Sequence, residues 1–275
     1  RFVYLSPEVG GQIALVEAAA NIIASGAEPL AITDCLNYGD PTDPEIFWEL
    51  HQSVQGMADA CREFNTPVIS GNVSLYNENN GQAIHPTPMV GMVGLIKNID
   101  RVIPSFVQHP GDKVYLVGQT RDDYAGSELQ KMMTGDISGI VKSFDLHHVH
   151  QYMQRLLTTM ENGLVSSAHD LSEGGLGVAL AETVFKTDLG LKIDLADQPA
   201  TRLFSETPGR FSVTVAPEKA TEFEQVLGKD AHLIGEVTNS HWLMVKLANG
   251  KLNESVKKKK KTWEEAIPCQ LKSKD

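Results

Sequence analysis

Apolar residues in the first hundred positions fall into short runs separated by polar, glycine-bearing turns, and the period changes from run to run. Phe2-Val3-Tyr4-Leu5 reads as a strand, and Pro7 to Gly11 as a turn. In Gln12 to Ser25, Ile13, Val16, Ala20 and Ile23 recur at helical spacing, and Gly26 suits a left-handed cap. Pro29 to Thr33 reads as a buried strand. Asp43 can cap a helix and Pro44 fits its first position, which predicts a helix from about Pro44 to Phe64. Asn65-Thr66 ends it, and Pro67 to Ser70 makes the next strand. If these strands lie parallel, the polar segments Asp34 to Pro41 and Gly71 to Glu78 share one carboxyl edge, where open α/β sheets bind ligands.

Near Ile103 to Gly111 the texture changes. Pro104, Pro110, Gly111 and Asp112 form a turn-rich joint, and Lys113 to Val117 restarts as a strand. Beyond it the pattern predicts helices at about Leu146 to Glu161, Gly177 to Phe185 and Pro217 to Leu227. Strands are expected at Leu164 to Ala168, Phe211 to Val215 and Trp242 to Leu247. Alternating strands and helices indicate an α/β fold, α+β by some schemes. With 275 residues, two domains are expected: residues 1–105, residues 106–250, and a helical tail over 251–275.

Composition narrows the function classes. The hydrophobic fraction of 41% supports a packed core, and the formal net charge of -11 argues against general nucleic-acid binding. A small anionic substrate stays compatible, because Mg²⁺ and a few local cations supply positive charge. The cysteines, Cys35, Cys61 and Cys269, are odd in number and widely spaced, which fits a reducing cytoplasm better than a disulfide framework or zinc site. Apolar runs such as Pro88 to Ile96 are about half a membrane span, and the N-terminus lacks the order of a signal peptide. The sequence opens on Arg1 and a strand-like run, as expected of a piece of a longer polypeptide; a processed or tagged intact protein is the alternative.

The chemistry concentrates in two segments. Asp34 ends a predicted strand, where a carboxylate can approach Mg²⁺ or a nucleotide; a helix cap or turn is its other use. Asn37, Gly39 and Asp40 add more polar and turn chemistry than one loop needs. Gly71 lets backbone approach a ligand, Asn72 offers a hard neutral oxygen to Mg²⁺, and Ser74 can donate to a phosphate or hydroxyl. Gly-Asn alone is also a hairpin turn. A third segment, His169-Asp170-Leu171-Ser172-Glu173-Gly174-Gly175, follows a strand and opens a helix. It either presents N–H groups to an anion or is a tight strand-to-helix turn. Arg210 either reaches a phosphate or sits in a surface turn. His147, His148 and His150 read as solvated helix surface without a carboxylate partner, and Lys257 to Lys261 as an exposed C-terminal helix.

The segments EVGGQIALVEAAANIIASGAEPLAITDCLNYGDP (8–41), ISGNVSLYNE (69–78) and SAHDLSEGGLGVALAE (167–182) closely resemble the synthetase subunit family of phosphoribosylformylglycinamidine synthase. The likeness runs over most of the chain and corresponds to the C-terminal part of the small bacterial form. DCLN and GNVSLYNE set it apart from cousins such as aminoimidazole ribonucleotide synthetase, selenophosphate synthetase and thiamine monophosphate kinase. The resemblance implies a ligase of purine biosynthesis that converts formylglycinamide ribonucleotide, ATP and glutamine-derived ammonia to the amidine, ADP and phosphate. It implies ATP contacts at Asp34 and Gly71, Mg²⁺ at Asn72 and substrate at Ser74. An auxiliary nucleotide would lie near His169, Asp170, Gly174 and Gly175. The family's catalytic histidine falls outside this sequence, so no catalytic residue is assigned. Implied partners are the N-terminal half of the same subunit, a glutaminase subunit and a small accessory subunit, and the chain alone is expected to be inactive and to self-associate. Two other readings remain: a non-catalytic half that binds at most a nucleotide, and a different ATP-dependent enzyme of the same superfamily.

Overall fold

In the computed structural model, which describes residues 1–272, helix comes first. The chain runs through α1 (Phe2–Leu5), α2 (Pro7–Ala24), β1 (Glu28–Asn37), α3 (Pro44–Phe64), β2 (Val68–Ser74), β3 (Glu78–Asn79), β4 (Gln82–Ala83) and β5 (Thr87–Leu95). It continues through β6 (Lys113–Val117), α4 (Glu128–Thr134), α5 (Leu146–Glu161), β7 (Ser167–Asp170), α6 (Gly175–Glu182), β8 (Gly190–Leu195), β9 (Phe211–Val215) and α7 (Ala220–Leu227). The last elements are β10 (Ala231–Thr238), β11 (Trp242–Leu247), β12 (Gly250–Ser255) and α8 (Val256–Lys272).

The expected strand at Phe2 to Leu5 and turn at Pro7 to Gly11 are both helical, and packing explains why. A Cβ at Gly10 would collide with the Val3 backbone, one at Gly11 with the Ser53 carbonyl, and one at Gly56 with the Glu8 carbonyl. The glycines that suggest a turn instead let α1, α2 and α3 touch backbone to backbone. The α3 boundaries are as expected: Asp43 accepts from the Glu45 amide at 2.8 Å, and Asn65 closes the helix at φ 53°.

A three-stranded sheet of order β2-β1-β5 carries the first polar segments, and a seven-stranded mixed sheet of order β12-β11-β8-β10-β6-β9-β7 forms the second unit. Alternate residues of β6 serve opposite layers. Tyr115 and Val117 join a cluster with Val149, Met153 and Leu156 of α5, Phe223 of α7, and Leu15, Ile23 and Phe64 of the first unit. Val114 and Leu116 join Leu176 and Leu180 of α6. The first of these clusters crosses between the two sheets, so they share a core. Residues 251–255, expected within a helical tail, instead belong to β12, which pairs with β11, and α8 follows. The tail's last three positions, 273–275, lie outside the described residues.

Helix α5 corrects the reading of its histidines. Glu63 of α3 accepts from His147 Nδ1 at 2.8 Å and His150 Nδ1 at 2.9 Å, while His148 Nε2 lies 3.0 Å from Asp230. The carboxylate partners exist; they are 80 or more residues away in sequence. Those two imidazoles, His150 first, hold the Glu63 carboxyl below its usual range. Arg210 is also corrected: it is neither at the surface nor open to a phosphate, because it is fully buried.

Candidate functional site

Strands β1 and β2 are parallel, the condition under which the two polar segments share one carboxyl edge. Their register sets Asp34 against Gly71, Cys35 against Asn72 and Asn37 against Ser74. The four expected site residues therefore occupy adjacent positions on two neighbouring strands. They lie within the strands, since β1 runs on to Asn37 and β2 to Ser74, rather than in loops beyond an apolar core.

Pleating divides them. In a parallel pair, partners in register project to the same face and successive residues to opposite faces. Asp34 and Gly71 share the face of Ile32 and Leu36, which packs toward the helices. Asn72 and Ser74 belong to the other face with Cys35, and the Asn72 amide points its Nδ2 at Cys35 Sγ, 3.9 Å away. The expected convergence of the Asp34, Asn72 and Ser74 oxygens in one cleft is thus not what this strand pair provides. Burial pushes the Asp34 carboxyl up. Ser74 Oγ donates to Asn77 Oδ1 at 3.1 Å, and Asn77 Nδ2 returns to the Tyr38 and Ser74 carbonyls, which pins the chain where it leaves β2.

Among the described residues no other strand pairs with β2 on its outer edge, and β2 is exposed along nearly its whole length. Met89 and Val93, set against Cys35 and Ala31, lie exposed on the same uncovered sheet face as Asn72 and Cys35. Such an edge and face are a template for another chain segment. Among the described residues no cluster of three or more His, Cys, Asp or Glu could cage a metal. Mg²⁺ does not need one, because it takes one or two protein oxygens and completes its shell with phosphate and water. The exposed Asn72, whose Oδ1 accepts no hydrogen bond among the described residues, is a fitting donor of that kind.

The third segment is built differently. His169 and Asp170 end β7, and His169 Nδ1 lies 2.6 Å from the Asp170 carbonyl. Gly174 and Gly175 both take left-handed conformations, φ 77° and 60°, at the start of α6. Their N–H groups are already used: Gly174 donates to Glu206 Oε1 at 3.0 Å, and Gly175 to the Ser172 carbonyl at 3.0 Å. The anion at this helix start is the chain's own Glu206.

Beside it lies a cleft of about 290 Å³ that sequence reasoning missed, between α2 and the second unit. Glu17, Asp170, Glu173, Glu206 and Arg1 line it. Arg1 binds Glu128, Glu173 at 3.1 Å and Glu206 at 2.9 Å. Burial pushes up the carboxyls of Glu17, Asp170 and Glu206. Asp170 and Glu173 belong to the third segment already singled out; the further signal was Glu17, a lone charge within an apolar, alanine-rich helix.

Two family models match the chain: the AIR synthase related protein N-terminal domain over residues 1–96, and its C-terminal domain over residues 109–246. The phosphoribosylformylglycinamidine synthase subunit PurL of Limosilactobacillus reuteri (strain DSM 20016) is 96% identical over all 275 residues, which span only 37% of that protein. Among solved structures, T. maritima PurL complexed with FGAR superposes with a TM-score of 0.73 at 22% identity, over 92% of this chain and 43% of that one. T. maritima PurL complexed with ATP gives 0.71 at 22% identity, over 92% and 41%. At that identity the likeness speaks for the fold. No helix among the described residues is long and apolar enough to cross a membrane.

Proposed function

We propose that this chain, which belongs to the AIR synthase related protein family, forms the C-terminal part of a cytoplasmic synthetase subunit that makes formylglycinamidine ribonucleotide. The substrates are formylglycinamide ribonucleotide, ATP and ammonia released from glutamine by a separate glutaminase subunit, with a small accessory subunit completing the assembly. The observation that carries the reading is the β1–β2 register, which sets Asp34 against Gly71 and places Asn72 and Ser74 one and three residues further along an unpaired edge.

In this reading Asp34 and Gly71 contact ATP, Asn72 offers its Oδ1 to Mg²⁺, and Ser74 holds the substrate. The division of these groups between two faces of a bare edge fits a site completed by another piece of protein, the subunit's N-terminal half. Mg²⁺, when bound, neutralises phosphate charge. The chain's own groups position the ligands, and phosphoryl transfer to an amide oxygen depends chiefly on such positioning. An auxiliary nucleotide at His169, Asp170, Gly174 and Gly175 has weaker support, because the glycine N–H groups already serve Glu206 and Ser172.

The test is an ammonia-dependent assay with formylglycinamide ribonucleotide and Mg-ATP, run on the chain alone and with a separately expressed N-terminal half. The chain alone is expected to be inactive, and the mixture active. Turnover by the chain alone near that of the intact subunit, or an inert mixture of two folded parts, overturns the proposal.

A further inference from the structure

Asn72 lies in an unusual setting for a metal-binding amide: among the described residues its side chain makes one hydrogen bond, and the acceptor is a sulfur. Nδ2 donates to Cys35 Sγ at 3.9 Å, from the register partner on the same sheet face. The same sulfur takes a second amide, Asn37 Nδ2 at 3.7 Å. That second amide is held in place independently, by the Cys35 carbonyl at 3.2 Å and the Thr87 carbonyl at 3.4 Å. Cys35 is half-buried, on a strand paired on both sides, whereas Asn72 is exposed on an edge strand. The sulfur is therefore the fixed partner and the Asn72 amide the mobile one.

We infer that Cys35 is a positioning residue for Asn72: its sulfur captures the Asn72 N–H and so leaves Oδ1 as the group presented to a divalent cation. The inference rests on the reading above, in which Asn72 serves Mg²⁺; Cys35 itself is not a ligand. A free carboxamide on an edge strand flips between presenting oxygen and presenting nitrogen, and only the oxygen suits a hard cation. A thiol accepts an amide N–H weakly, but here weak anchoring at one end selects which end faces outward. Serine is no substitute, because its smaller oxygen on a shorter bond falls short of an amide that already sits at the limit of sulfur's reach.

The experiment is a double-mutant cycle on the subunit assembled with its N-terminal half, reading the Mg²⁺ dependence of ATP binding by calorimetry. Cys35→Ala and Cys35→Ser should each raise the Mg²⁺ concentration needed for half-maximal ATP binding about three- to tenfold, the scale of one net hydrogen bond. Neither should do so in an Asn72→Ala background. The Asn72 side-chain amide resonances of the metal-free protein should shift and broaden in Cys35→Ala. Equal effects of Cys35→Ala in both backgrounds, or no effect in the parent, overturn the positioning role. If Asn72→Ala alone leaves the Mg²⁺ dependence unchanged, the reading of Asn72 fails first and the role of Cys35 with it.

Discussion

The Asp34 carboxylate stands over Gly71, its register partner on β2, in space that any Cβ at position 71 would invade. The glycine thus does more than relax the backbone: its missing side chain is the room in which a raised-pKa carboxylate sits.

Gly71→Ala should therefore lower stability by about 1 kcal/mol, the low end of overpacking costs, because the Asp34 side chain can swing aside. In an Asp34→Ala background the same change should cost nothing, since the clash has been removed. Urea denaturation of the four proteins measures the coupling. An equal cost in both backgrounds would place the clash elsewhere.

Arg210 predicts a larger effect. Its guanidinium is fully buried and, among the described residues, hydrogen-bonds no carboxylate. Nε donates to the Thr207 carbonyl at 2.9 Å, one terminal nitrogen to Thr120 Oγ1 at 2.9 Å, and the other to the Ser205 carbonyl at 2.5 Å. Burial pulls its pKa down to about 10. Arg210→Ala strands two buried carbonyls and the half-buried Thr120 hydroxyl and should cost about 3 kcal/mol or more. Arg210→Lys, with one point donor in place of a fork, should recover less than half of that loss. Denaturant midpoints at constant m-value decide the matter.

These two residues also mark how far the sequence could be read. Helices 44–64 and 146–161 and the strands at 113–117, 211–215 and 242–247 were legible to the residue, because period, caps and turns agree there. Strand β5 was not, since Pro88, Gly91 and Gly94 interrupt an apolar run that a strand nonetheless uses. Strand β1 was read three to four residues short at its carboxyl end, because Asp34, Cys35 and Asn37 look like loop chemistry while staying in the ladder. The helical start was hidden by glycines whose role is set by distant backbone, and the Glu63–His147–His150 contact by 84 residues of separation. For the site, the residue types Asp34, Gly71, Asn72 and Ser74 were legible but their faces were not. Alternation becomes known only when strand limits and register are.

Asp112 gives a pH test. It is almost fully buried, and its Oδ2 has no hydrogen-bond partner among the described residues. Burial raises its pKa above the ordinary 3.8. A carboxyl whose folded pKa is raised binds its proton more readily in the native state. Its contribution to stability is present below the unfolded value and is lost as pH rises through the folded value. Asp112→Asn should therefore be more stable than the parent at pH 7, with the advantage shrinking as pH falls toward 3.8. Urea midpoints at pH 7, 5.5 and 4 follow this; a difference independent of pH would mean that Asp112 does not titrate differently in the folded state.

The uncovered sheet face predicts association. Met89 and Val93 are each more than half exposed on one side of the β2-β1-β5 sheet, whose outer strands have no further strand partner among the described residues. Apolar area of that kind gains by being covered, at roughly 25 cal/mol per Å², and the free edge adds backbone hydrogen bonds. Opposing this is a net charge of -11, which repels a second copy and weakens with salt screening. The chain should accordingly self-associate in a concentration-dependent way, more strongly at 0.5 M than at 0.05 M salt. Val93→Glu, which adds a like charge to that face on the outer strand β5, should keep it monomeric in both. Sedimentation velocity over a range of concentrations reads this directly. A parent chain that stays monomeric throughout would show that the face is too small or too polar to hold a second copy.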